Sequence, residues 1–182
     1  MKSRRKFIGQ SSISLLSLLT IPVQALSNTT SDFDGLVVSD AEGEKIRIRD
    51  GTAIVRIKIA KAQGSQSICF LSESVKPGDG APVHKHMNED ELLFFHKGSG
   101  LFTLGEKQYE VSEGAVVLIP KGVWHGWQNT SSENTVVCFG YSPAGFEGYF
   151  REVGTPFDQP FTQKTMEERR TIAKKWGMIY KM

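Results

Sequence analysis

Three of the four histidines of this 182-residue chain stand at fixed positions of two segments that each open on glycine, and the fourth, His96, is nearby. The first is Gly78-x5-His84-x-His86-x4-Glu91-x6-Gly98, and the second is Gly114-x5-Pro120-x-Gly122-x2-His125-x3-Asn129. Together they offer three imidazoles and one carboxylate, a set that suits a mononuclear transition metal. His84 and His86 are two residues apart, so in an extended strand both side chains leave the same face. Glu91 follows the polar turn of residues 87–90 and opens the apolar run Leu92-Leu93-Phe94-Phe95, a buried strand. Glu89 and Asp90 compete for the carboxylate role and read as solvated turn residues. His125 comes after the apolar run 115–119 and a turn forced by Pro120 and Gly122. The two segments can share one ion only if the fold brings distant strands together, as a closing β-barrel would.

The rest of the chain is consistent with that requirement. Strand-like runs recur at 35–39, 45–49, 53–59, 67–75, 91–96, 101–104, 108–111, 115–119, 123–128 and 135–141. Many short strands at such spacing predict a sandwich or barrel. No internal repeat is present, so one barrel over 35–142 is expected. Ile46-Arg47-Ile48-Arg49 and residues 54–59 alternate apolar and basic, which predicts one solvated face for each. Residues 104–107 supply a hairpin turn. A C-terminal extension, 143–182, differs in character. Thr165-Met166-Glu167-Glu168 is a capping box, and Gly177 is a stop signal. The spacing predicts a helix over about 165–176 with Met166, Ala173 and Trp176 on one face, packed outside the barrel.

Both histidine-bearing segments resemble the two motifs of the cupin family, with every fixed position filled. The resemblance implies an all-β fold, a small cupin jelly-roll barrel, with His84, His86, Glu91 and His125 as metal ligands. Residues 142–150 resemble the segment that follows the barrel in quercetin-dioxygenase-like single-domain cupins, so the likeness extends over roughly 65–180. It implies a dioxygenase-like oxidoreductase acting on a small enolisable or phenolic substrate, with Glu91 both ligand and candidate base. Two other functions stay open: a non-oxidative lyase, isomerase or decarboxylase, and a metal-containing small-ligand binding module without turnover. Leu93 and Phe95 share the strand parity of Glu91, and Trp127 that of His125. With Phe102 they are candidates to line a substrate pocket, or simply to fill the barrel. His96 has the opposite parity and is left out of the site. Leu92 and Phe94 point away from the pocket, so that face should be covered by a second sheet, the C-terminal helix or another subunit. Cupins commonly dimerise through such faces, which implies a homodimer.

The N-terminus carries an address. Ser3-Arg4-Arg5-Lys6-Phe7-Ile8 resembles the twin-arginine export motif, and a serine-diluted apolar stretch runs from Ile8 to Ile21. Val23-Gln24-Ala25 suits cleavage after Ala25. The chain then reads as a signal over 1–25, a linker over 26–34, and a periplasmic or secreted mature protein that meets the twin-arginine export machinery. An uncleaved N-terminal anchor and an ordinary secretory signal are the alternatives. Removing Lys2, Arg4, Arg5 and Lys6 takes the formal charge from +2 to −2. With basic residues scattered through the remainder, no nucleic-acid partner is expected. A site left to equilibrate would take copper or zinc ahead of manganese or iron. Folding before export would avoid that order, so the expected cofactor is one divalent transition metal per chain, iron or manganese ahead of nickel, with zinc and copper behind. Cys69 and Cys138 read as buried strand positions and as free thiols.

Overall fold

Apolar residues at alternate positions of a strand bury one face, and two such faces pressed together make a core. That arrangement organises the computed structural model, which describes residues 34–182. The signal at 1–25 and nearly all of the linker lie outside the described residues. Twelve strands and two helices follow in chain order: β1 Glu44–Ile48, β2 Ala53–Ile59, β3 Cys69–Val75, β4 Gly80–His86, β5 Asp90–Lys97, β6 Ser99–Leu104, β7 Lys107–Ser112, β8 Val116–Ile119, β9 His125–Gln128, β10 Thr135–Ser142, α1 Glu147–Val153, β11 Thr155–Pro156, α2 Met166–Lys175 and β12 Met178–Tyr180. The strands form two antiparallel sheets. The larger has the order β11-β1-β2-β3-β10-β5-β8, and the smaller β12-β4-β9-β6-β7. Val55, Ile57, Leu71, Leu93, Phe95, Val137 and Phe139 of the large sheet meet Phe102 and Trp127 of the small one across the core. This is the expected jelly-roll.

The two histidine-bearing segments are tied to each other at both ends. The amide of Gly122 donates to the carbonyl of His86 over 2.6 Å, and Gly122 has φ +82°, a value that favours glycine. At the other end, Gly78 N–H donates to Asn129 O and Asn129 N–H to Asp79 O, over 2.9 and 2.8 Å. The Asn129 side chain is fully buried. Its amide donates to Val75 O and Glu133 O, and its carbonyl accepts from the Ser131 amide and hydroxyl. The histidine-bearing strands are therefore held in register by main-chain bonds that are independent of any ligand.

Several expectations need correction. Residues 35–39 form no strand, and the barrel begins at Glu44 instead of 35. The basic face of β2 is not solvated. The loop before β1 folds over it, and the Lys58 ammonium donates to the carbonyls of Ser39, Asp40 and Glu42 over 2.8, 2.5 and 2.7 Å. The extension is not merely packed outside. β11 pairs with β1, and β12 pairs with β4 in the register Met178↔His86, Tyr180↔His84, while α1 was not anticipated. α2 has the expected capping box at Thr165 and Glu168 and is followed by Gly177 at φ +72°. Of its expected face, Ala173 is buried and Trp176 lies against Gly148 of α1, but Met166 is 53% exposed. Leu92, Val116 and Leu118 form an apolar outer face on β5 and β8 and are 44, 60 and 63% exposed. Neither the second sheet nor α2 covers this face. Cys69 is buried and Cys138 half-buried, and both are free.

Asn129→Ala removes four hydrogen bonds at a buried corner, two given to the Val75 and Glu133 carbonyls and two taken from Ser131. It should lower the unfolding free energy by about 2–4 kcal/mol, measured by urea denaturation of the metal-free protein. An unchanged midpoint would show that the corner does not hold the segments together.

Candidate metal centre

His84 and His86 project from β4 and His125 from β9, where His84 and His125 are direct cross-strand partners. Glu91 projects from β5 of the opposite sheet, between its partners Ile119 and Tyr141. The centre thus lies between the two sheets, with three ligands from one and one from the other. All four side chains are buried, and one donor atom from each lies within 4.8 Å of all the others. A register irregularity between Ala81 and His84 places Pro82 where its missing amide breaks no ladder bond. The carbonyl of Pro82 then faces back to His84 Nδ1 at 2.7 Å. His125 Nδ1 is 3.0 Å from the Val123 carbonyl. Each of these contacts makes Nδ1 the protonated nitrogen and leaves a lone pair on Nε2.

Those lone pairs face other acceptors. His84 Nε2 is 3.2 Å from His86 Nε2, and His125 Nε2 is 2.9 Å from Glu91 Oε2. His86 Nε2 is 3.4 Å from the same carboxylate oxygen. Acceptors this close repel unless a cation stands between them. Ligand atoms about 2.1 Å from one ion and at right angles are about 3 Å apart, which matches the observed separations. The residues present therefore fit a divalent metal ion.

The electrostatics agree. Burial, with His125 and His86 alongside, pushes His84 down to about 3, so the ring is neutral at physiological pH. Burial tends to raise the Glu91 carboxyl, but the positive charge that His125 and His86 carry when protonated outweighs it and holds the group well below the usual carboxylate range. Tyr141, the cross-strand partner of Glu91, is held far above its ordinary value by burial and by the Glu91 charge. It stays a phenol able to donate. Its ring packs 5.0 Å from that of His86, and the Phe146 ring lies against both, 4.4 Å from His86 and 4.5 Å from Tyr141.

A cavity of about 840 Å³ opens from the centre, and Leu93, Trp127, Phe139 and Tyr141 are among its walls. Of the four expected pocket residues, Leu93 and Trp127 line it. Phe95 and Phe102 do not: both are fully buried, with ring centroids 6.4 Å apart, and Phe95 packs 5.2 Å from Trp127. They fill the closed end of the barrel. His96 is exposed on the outer face, as its parity requires. Asp90 is exposed and accepts from the Lys121 amide at 2.8 Å. Glu89 is half-buried, not the solvated residue expected, but it stands outside the cluster. Sequence reasoning missed Tyr141, whose inward parity with Val137 and Phe139 could have revealed it. It also missed Tyr149 and Tyr180, which stand on elements that gave no sequence signal.

Residues 71–140 match the cupin domain family Cupin_2. Among curated proteins, an uncharacterized protein of Methanocaldococcus jannaschii is 30% identical over 79 residues, covering 42% of this chain and 63% of that protein. An acireductone dioxygenase of Stenotrophomonas maltophilia is 38% identical over 84 residues, 43% of each chain. The chain spans less than two thirds of the length of these relatives. Among solved structures, KdgF from Halomonas sp. superposes with a TM-score of 0.56 at 16% identity, over 63% of this chain and 98% of that one. A predicted oxalate decarboxylase from Thermotoga maritima gives 0.54 at 22%, over 59% and 99%. These two likenesses are of fold alone. All four clustered side chains fall inside residues 71–140, the segment that matches the cupin domain family.

Proposed function

We propose that this protein is an exported, metal-dependent oxidoreductase of dioxygenase type that acts on a small enolisable or phenolic substrate. The observation that carries the reading is the convergence of three imidazole nitrogens and one carboxylate beside a cavity large enough for such a molecule, with His84 and Glu91 in its wall. The partial likeness to an acireductone dioxygenase supports the oxidative class. Iron or manganese is the expected ion, with nickel next. When bound, the ion supplies Lewis acidity and electrons for dioxygen chemistry. His84, His86 and His125 would hold it through their ring nitrogens. Glu91 holds it with a carboxylate and is the base placed to take a proton from an enol or phenol, since it is the one carboxylate in the cluster. Tyr141 keeps its proton and orients Glu91. Leu93, Trp127 and Phe139 exclude water and offer flat apolar contact to a planar substrate. The Ser3-Arg4-Arg5-Lys6-Phe7 address supports export after folding, with metal loaded beforehand.

Three experiments test this reading. The protein recovered from its own export route should carry about one iron, manganese or nickel per chain and consume oxygen with flavonols or catechols. His125→Ala should lose most of the metal and the oxygen uptake while keeping its far-ultraviolet spectrum. Full metal in that variant would remove the site, and turnover without oxygen consumption would move the chemistry to the non-oxidative class. Changing Arg4 and Arg5 together to lysine should hold the protein in the cytoplasm on cell fractionation, and unchanged export would remove the twin-arginine assignment.

A further test uses pH. The unfolded chain takes up a proton on His84 near its ordinary value of 6.5, whereas the folded chain refuses it until about 3. The unfolded state therefore binds more protons across that window, and stability falls as pH falls through it. At about 1.4 kcal/mol per unit, metal-free protein should be on the order of 2–3 kcal/mol less stable at pH 4.5 than at pH 7.5, measured by urea denaturation. Equal stability would show that the His84 ring is not buried neutral.

A further inference from the structure

The C-terminal extension contributes phenol and guanidinium groups to the cavity wall, Tyr149, Arg169 and Tyr180. Tyr180 of β12 is the cross-strand partner of the ligand His84, and their rings are 6.2 Å apart. Its hydroxyl is 2.7 Å from that of Tyr149 on α1. Two phenols in contact share one hydrogen bond, so one O–H of the pair is left to donate elsewhere. Both tyrosines line the cavity.

Beside them stands Arg169 of α2, also in the cavity wall. Its Nε donates to Lys164 O over 3.2 Å and one Nη to Arg49 O over 2.6 Å. Both acceptors are neutral carbonyls, and no carboxylate lies within ion-pair distance of Arg169 among the described residues. Three of its five N–H groups therefore remain for another acceptor. The neighbouring Arg49 differs. It is ion-paired with Glu73 and donates to the Gly80 carbonyl, so its charge is already matched. Lys164 also lines this wall, but its charge is shared with Glu152 and Glu168. A half-buried guanidinium with spare donors, next to a spare phenol O–H, makes a pocket for an anionic group in two-point geometry.

Building on the metal-dependent reading above, we propose that the substrate is an organic acid whose carboxylate binds Arg169 and the Tyr149–Tyr180 phenol pair while its enol or phenol oxygens face the His84–His86–Glu91–His125 centre. Arg169 is then a specificity-determining residue. It reads one end of the substrate, while the metal ligands read the other. The extension supplies the anion end, because α1, α2 and β12 carry Tyr149, Arg169 and Tyr180.

The test uses the full metal-loaded protein and two probes of like shape, 3,4-dihydroxybenzoate and 4-methylcatechol, with affinities measured by calorimetry. Wild-type protein should bind the acid at least ten-fold more tightly, the range expected of a charge-assisted bond. Measured well below the thermal midpoint of each variant, Arg169→Gln should erase that preference while leaving affinity for 4-methylcatechol unchanged, and Arg169→Lys should retain part of it. Equal binding of the two probes, binding of neither, or a preference that survives in Arg169→Gln would overturn the proposal. Repeating the titrations after chelation separates it from the metal reading. An acid preference that persists with undiminished affinity in metal-free protein keeps the anion site and removes the role of the metal in substrate binding.

Discussion

A carboxylate and three imidazole lone pairs pressed together inside a barrel are the constraint on which this structure turns. Glu91 comes from one sheet and the histidines from the other, so the sheets cannot separate or slip without breaking the cluster. A one-residue slip in β4 would send His84 and His86 to the outer face and bring Val83 and Lys85 inward. Register is therefore as much a part of the site as residue identity. The hydrogen bonds of Gly122 to His86 and of Gly78 to Asn129 hold that register before any ion arrives. A preorganised site costs little reorganisation on binding, and it also keeps four mutually repelling acceptors in place for the ion to bridge.

Around this centre the barrel divides its interior by polarity. Phe95, Phe102 and Trp127 pack edge to face and fill one end. The other end is left open and lined by aromatic and apolar groups near the ligands, then by tyrosines and arginines farther out. Close packing at the first end makes the second end specific, because side chains that cannot move cannot reshape the cavity around a wrong ligand. Glycine contributes where a side chain would collide. A Cβ on Gly80 would lie 1.9 Å from the Trp127 carbonyl, so β4 can approach β9 closely only with glycine there.

The site was legible in the sequence because its information is local. His84 and His86 share a face by spacing alone, and the turns before Glu91 and His125 are written in polar residues, proline and glycine. Strands 53–59 and 135–141 were legible from apolar alternation for the same reason. What was not legible depends on contacts distant in sequence. Met178-Ile179-Tyr180 is too short to signal a strand, and becomes one only because the edge of β4 is there to pair with it. Residues 35–39 look like a strand but find no partner, and their neighbours are drawn instead to the buried Lys58 ammonium. Parity placed Phe95 and Phe102 inside correctly, but parity gives the face of a sheet and not the depth along the barrel. Depth decides between lining a cavity and filling its floor.

The same limit bears on what can be learned from related chains. The cupin match covers residues 71–140 and contains every metal ligand. Arg49, Tyr149, Arg169 and Tyr180 all lie outside it, yet they line the same cavity as His84 and Glu91. A barrel shared with other proteins can thus carry the same metal chemistry to different substrates, because the wall that reads the rest of the molecule is supplied by the chain before and after it. In this protein that wall is positively charged and rich in phenol donors. The physical case for an acidic substrate therefore rests on the extension, and the case for metal chemistry on the barrel. Either can fail without the other.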